Sequence, residues 1–195
     1  MLRIALTGGI ATGKSYVLER IRARGIPCLD ADELVHGITT AGTEATAAIA
    51  ARFGGDILAA DGSVNRAKLG PIVFADLAAR KDLEAIVHPG VYRAITAGLR
   101  AFELTGESRL AVVAIPLLYE TGADTQFDRV VVTACSRDLQ VARLVERGLT
   151  EEAARQRLAA QLPTEEKAAR ADFVIRTDGA FEETDAQIER VIASL

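Results

Sequence analysis

Residues 8–15 read Gly8-Gly9-Ile10-Ala11-Thr12-Gly13-Lys14-Ser15, a complete G-x-x-x-x-G-K-[ST] pattern. Such a stretch works only between a strand and a helix, and both flanks comply. Leu2 to Leu6 is a short apolar run suited to a buried parallel strand. Between Lys14 and Arg24, Val17, Leu18 and Ile21 recur at helical spacing, and Gly25 marks a stop. Glycines let successive backbone N–H groups turn inward around a phosphate. The helix behind adds its positive dipole end. Gly9, Ile10, Ala11, Thr12 and Gly13 would form the cradle of a nucleoside triphosphate. Lys14 would bridge the β- and γ-phosphates, and the Ser15 hydroxyl would ligate Mg²⁺.

Ile26 to Leu29 reads as a second strand, so the chain begins with a strand–helix–strand unit. That arrangement predicts a parallel sheet with a right-handed crossover. From Thr43 to Leu104 the pattern is mostly helical, with breaks at Phe53-Gly54-Gly55, Asp61-Gly62 and His88-Pro89. The sheet resumes over 110–115, 129–134 and 173–176. Helices are expected over 137–147, 150–162 and 181–194. There is no internal repeat, and the expected architecture is an α/β core with two helical insertions.

A length of 195 residues, 49% of them hydrophobic, suits one domain of this kind. Aromatics make up 5%, so the core must be aliphatic. Lys+Arg 23 against Asp+Glu 27 gives a formal charge of -4, which speaks against a nucleic-acid binder. No run reaches the ~18 apolar residues of a membrane span. Met1 to Leu6 runs into the glycine turn without a signal-peptide core, so neither secretion nor membrane insertion is expected. Cys28 and Cys135 lie in apolar runs and read as buried thiols of a cytoplasmic protein.

Three classes can use such a phosphate loop: a switch GTPase, an ATP-driven motor or binding module, and a small-molecule kinase. The chain has no N-K-x-D tetrapeptide to read guanine, and the strand over 110–115 ends in Pro116 without the Asp of a motor. Carboxylates instead follow the second strand, as Asp30 and Asp32. Strand C-termini gather at the ligand edge of a parallel sheet, so either carboxylate could take a hydroxyl proton or help hold Mg²⁺ through water. Both would serve equally well as helix caps. Arg137, Arg143, Arg147, Arg155 and Arg157 are concentrated in one region. Arg143 and Arg147, four apart, share a helix face from which both could reach a phosphate chain; a solvated face paired with neighbouring glutamates is the alternative. His88 precedes Pro89, which favours an extended turn, and reads first as a structural hydrogen-bonder. No spacing resembles a zinc site, so the expected metal is Mg²⁺ arriving with ATP.

Taken together, several segments resemble the dephospho-CoA kinase family. They are the loop from Leu6 to Ser15, with Ala11 and Thr12 where the family has Gly and Ser, and the Asp30-Ala31-Asp32 triplet. Phe53-Gly54, Asp61-Gly62, Arg66, Leu69 and Phe74 follow, then Ile86-Val87-His88-Pro89 and Pro116-Leu117-Leu118-Tyr119-Glu120. Gln140, Arg143, Arg147, Gln161 and the run from Ala171 to Ile175 complete the likeness, which extends to about Gly179.

The resemblance implies a three-layer P-loop kinase core over 1–30, 105–136 and 171–195. It also implies a helical CoA-binding part over 31–104 and a small helical lid over 137–170. The implied reaction moves the ATP γ-phosphate to the ribose 3′-hydroxyl of dephospho-CoA. Asp32 would be the general base, Lys14 would stabilise the transferring group, and Arg143 would be a lid cation on the phosphates. Asp30, His88, Pro116, Leu117, Leu118 and Glu120 would join Asp32 on the acceptor side. Arg147 and Thr177 would lie on the nucleotide side. Thr177 stands where the family has Asn, and the turn Arg147-Gly148-Leu149 is one residue shorter than usual. Another acceptor, or a non-catalytic ATP-binding module, are the competing readings.

Overall fold

The structure, a computed structural model, describes the backbone of residues 1–195 and every side chain except that of Phe74. Phe74, one of the positions carrying the resemblance, is therefore placed by its backbone alone. Elements run β1 (Leu2–Gly8), α1 (Lys14–Arg22), β2 (Cys28–Asp30), α2 (Ala31–Ile38), α3 (Glu44–Phe53), α4 (Arg66–Ala75) and α5 (Leu77–Thr105). They continue with β3 (Leu110–Ala114), β4 (Arg129–Ala134), α6 (Arg137–Glu146), α7 (Glu151–Ala159), α8 (Thr164–Ala169), β5 (Phe173–Arg176) and α9 (Phe181–Ser194). The chain forms two compact units, residues 1–29 with 101–195 and residues 30–100.

The first unit is built on a five-stranded sheet in the order β2-β3-β1-β4-β5. The strand feeding the glycine loop is thus the central one. β1 pairs parallel with β3 (Leu6 opposite Ala114) and with β4 (Gly8 opposite Thr133), and β4 pairs parallel with β5. Alternation along the strands decides the faces. Ile4 and Leu6 pack with Val112, Val131 and Ile175 against Val17, Leu18 and Ile21 of α1 and Ile188 of α9. Ala5, Val113 and Val132 are equally buried on the opposite face, so both sides of the sheet are covered. Each fully buried Ile or Leu side chain contributes about 1.5–3 kcal/mol. Asp185 of α9 clamps α1, accepting from Arg20 Nε at 2.9 Å, Arg20 Nη2 at 2.6 Å and the Tyr16 hydroxyl at 2.9 Å. The Arg20 bonds hold the Asp185 carboxyl below its ordinary range.

The second unit is helical. Asp30 caps α2 by accepting from Asp32 N at 2.8 Å, and Thr43 caps α3 by accepting from Thr46 N at 3.1 Å. Val87, Val91, Ile95 and Leu99 of α5 recur every fourth residue and are all buried.

Three local expectations need correction. His88 and Pro89 do not break the chain but lie inside α5, which runs for 29 residues. An interior proline costs ~3 kcal/mol through its missing N–H and its ring. Burial of the four-residue stripe on both sides of it outweighs that cost. The strand expected over 26–29 forms two residues later, and Cys28 is half-buried, its thiol pushed up to about 11 by burial. Cys135 is buried as expected. The helix expected over 150–162 ends at Ala159, and a separate short helix, α8, follows Pro163.

Candidate active site

Gly13 precedes α1 with φ 84°, in the left-handed region, and offers no side chain to the first-turn amides. Amides at such a helix start are where an anion binds. Gly9 is required for a different reason. A Cβ there would lie 2.2 Å from Thr164 Oγ1 and 2.7 Å from Gln140 Nε2. Between them, Ala11 is the one described non-glycine residue with positive φ, at 61°. A left-handed Ala costs ~1–2 kcal/mol, so the surroundings must hold it.

They do so through bonds from distant parts of the chain. Arg143 Nη1 donates to Ala11 O at 3.0 Å. Gln140 Nε2 donates to Ile10 O at 2.7 Å, and Ile10 N donates to Gln161 Oε1 at 3.1 Å. Thr12 Oγ1 donates to Gly9 O at 2.8 Å and lies 2.8 Å from Thr133 Oγ1 on β4. Thr177 Oγ1 donates to Thr12 O at 2.9 Å. Lys14 is half-buried at the start of α1, and Ser15 is exposed on its first turn.

Two of the residues expected on the nucleotide side turn out to brace the loop. Arg143 spends its guanidinium on Ala11 O, on Thr177 Oγ1 at 3.2 Å and on Thr177 O at 2.7 Å. Thr177 is buried, and its amide donates to Ala134 O at 2.8 Å. Every polar group of Thr177 thus has a partner inside the protein, through which it supports the loop. Arg147 lies in an exposed position just after α6, which ends at Glu146.

The turn after β3 is also tied inward. Pro116 O accepts from Thr7 Oγ1 at 3.2 Å and from Lys167 Nζ at 3.0 Å. Glu120 Oε1 accepts from Lys167 Nζ at 2.8 Å and from Leu162 N at 3.1 Å. Leu117 is half-exposed. Leu118 is 0% exposed, which removes it from the acceptor-contacting residues; it packs the turn in place. A cleft of about 350 Å³ beside the loop is lined by Gly9, Ile10, Gln140, Gln161, Leu162 and Thr164 among others.

In the helical unit Asp32 is exposed on the first turn of α2, where a carboxylate is favoured by the helix dipole. His88 is half-buried, its ring edge-on to Tyr92 with centroids 6.1 Å apart.

Sequence reasoning missed Thr133, Thr164 and Lys167. Lys167 follows Glu165 and Glu166, and such a charge run ordinarily marks a solvated face. Nothing local distinguishes it. Among the described residues no group of three or more His, Cys, Asp or Glu could hold a metal ion, and no helix is long and apolar enough to cross a membrane.

Comparison with known proteins agrees with this geometry. The family profile described as dephospho-CoA kinase matches residues 2–183. A dephospho-CoA kinase of Anaeromyxobacter dehalogenans is 48% identical over 193 residues, which are 98% of this chain and 91% of the relative. The structure of the dephospho-CoA kinase from Campylobacter jejuni superposes with a TM-score of 0.73 at 29% identity, covering 98% of this chain and 96% of that one. A shikimate kinase from Bacteroides thetaiotaomicron, 14% identical with a TM-score of 0.51 over 100% and 99% of the two chains, shares the fold alone. The parallel-sheet P-loop kinase core expected from the sequence is therefore the fold observed. With a match over nearly its whole length and a loop built to hold a triphosphate, the chain belongs to the dephospho-CoA kinase family.

Proposed function

We propose that this phosphotransferase moves the γ-phosphoryl group of ATP to the ribose 3′-hydroxyl of dephospho-CoA, giving CoA and ADP. The observation that carries the reading is the braced loop over 8–13 opening α1, in a chain of this family. The first-turn amides of α1 receive the triphosphate, and Lys14 neutralises charge on the group in transfer. A carboxylate at the start of α2, Asp32, takes the proton of the 3′-hydroxyl as that oxygen bonds to the γ-phosphorus and the bond to ADP breaks. A positioned general base of this kind is worth about 10²–10⁴ in rate.

Arg143 acts from beneath the loop, holding Ala11 in the conformation the cradle needs and adding positive charge behind the phosphates. Mg²⁺ fits the donor set: a hard cation of this type binds one or two protein oxygens plus substrate phosphates, and the exposed Ser15 hydroxyl on the first turn of α1 is such an oxygen. Bound there, it would supply charge neutralisation to the phosphate chain.

Residues 31–104 and the turn over 116–120 form the acceptor-binding part in this reading, with Asp30, His88, Pro116, Leu117 and Glu120 as its named positions. The turn follows the carboxyl end of β3, beside the strand that feeds the loop, and ligands of parallel sheets bind outside such ends. Two thiols outside any disulfide suit a cytoplasmic enzyme.

The test is ADP release from Mg·ATP with dephospho-CoA, AMP, adenosine or pantothenate as acceptor, with Lys14→Ala as the blank. Turnover with dephospho-CoA alone, its product identified as CoA by mass, is expected. Turnover with another acceptor would replace the substrate assignment, and silence with all four from folded, ATP-binding protein would overturn the enzymatic reading.

A further inference from the structure

Among the described residues, Lys167 is the largest side chain with no exposed surface. Its ammonium donates to Pro116 O at 3.0 Å and to Glu120 Oε1 at 2.8 Å, the first and last residues of the turn after β3. Burying an ammonium costs several kcal/mol even when it is paired, and an apolar residue of similar volume would fill the space at lower cost. The charge is explained by its targets. One is a backbone carbonyl that Thr7 Oγ1, at the end of β1, also engages at 3.2 Å. The other is a carboxylate that also receives Leu162 N at 3.1 Å.

The chain just before Lys167 reaches the phosphate loop. Gln161 Oε1 accepts from Ile10 N at 3.1 Å. Thr164 Oγ1 donates to Gln140 Oε1 at 3.3 Å, and Gln140 Nε2 donates to Ile10 O at 2.7 Å. Seven consecutive residues therefore touch both the loop and the turn.

We propose that Lys167 is a positioning residue for the acceptor, fixing the Pro116–Glu120 turn at its working distance from the phosphate loop through the brace over 161–167. The inference rests on the reading of that turn as part of the acceptor site. A misplacement of about 1 Å at a reacting centre can cost on the order of 10² in rate. The Lys167→Met enzyme should therefore lose about that factor in kcat/KM for dephospho-CoA, while its Kd for ATP, measured without acceptor, stays within about threefold. A merely structural lysine would lower Tm and leave both constants unchanged per folded molecule.

The double variant Lys167→Met/Glu120→Leu removes both charges of the pair. It should recover Tm and keep the acceptor defect. Acceptor constants within about twofold of the parent in either folded variant, or an ATP affinity falling by the same factor as acceptor use, would overturn the proposal. Leu117→Ala separates the two readings. If it leaves acceptor KM unchanged, the turn is not part of the acceptor site. If it raises KM while Lys167→Met does not, the site reading stands and the brace fails.

Discussion

Thr12 and Asp32 both sit at the N-terminal end of a helix, yet they are held in opposite ways. Thr12 is buried in the sheet unit, and its polar groups meet Thr133 and Thr177, partners 121 and 165 residues away. Asp32 is exposed in the helical unit, and its amide is capped by Asp30, two residues back. The contrast extends beyond these two. Around the loop, Gln140, Arg143 and Gln161 reach Ile10 and Ala11 across 130 to 151 residues. In the helical unit the caps formed by Thr43 and Asn65 span three residues or fewer. A cradle for a triphosphate must be preorganised to fractions of an ångström, which requires supports fixed by packing from several directions. Helix caps are local, and each is worth about 1 kcal/mol wherever it occurs.

The largest effect that tests the contrast is catalytic. Asp32→Asn should lower kcat by about 10²–10⁴ while costing stability no more than about 1 kcal/mol, the scale of an exposed carboxylate's interaction with the dipole of α2. Intact turnover would remove it as the base, and a large fall in Tm would show that its anchoring is not local. Next comes the loop itself. In Gly9→Ala the new methyl must displace Thr164 Oγ1 and Gln140 Nε2, so a loss of about 1–3 kcal/mol is expected in urea unfolding. Both displaced groups also belong to the network that seats Ile10, so ATP affinity should fall with stability. A destabilised enzyme with normal ATP binding would break the link between brace and cradle. The smallest effect belongs to the helical unit. Thr43→Ala removes a cap worth ~1 kcal/mol together with bonds to Ile38 O and Thr40 O, and hydrogen exchange should speed up at the start of α3 and in the turn before it, with turnover unchanged.

Much of the sheet unit was readable in advance. β1, β3, β4 and β5 are short apolar runs ended by glycine, proline or polar residues, as strands covered by helices are expected to be. The helical unit was less transparent. Pro89 signals a break in any local reading, and α5 passes through it because Val87 and Val91 on either side are both buried. The short α8 escaped notice for the opposite reason, since Thr164-Glu165-Glu166-Lys167 looks like a solvated turn until the burial of Lys167 is seen. Arg143 was singled out from the sequence, but its bonds to Ala11 O and Thr177 O were not.

The sequence by itself determined the phosphate loop, the parallel α/β architecture and the family. These depend on patterns inside short segments and on the order of those segments along the chain, both of which are read directly. Tertiary structure alone decided what holds the loop and the turn after β3: Thr133 and Thr177 on Thr12, Arg143 on Ala11, and Lys167 on Pro116. Those contacts join segments 51 to 165 residues apart along the chain. A hydrogen bond of that reach is a property of how the sheet brings the segments together, and no local pattern encodes it.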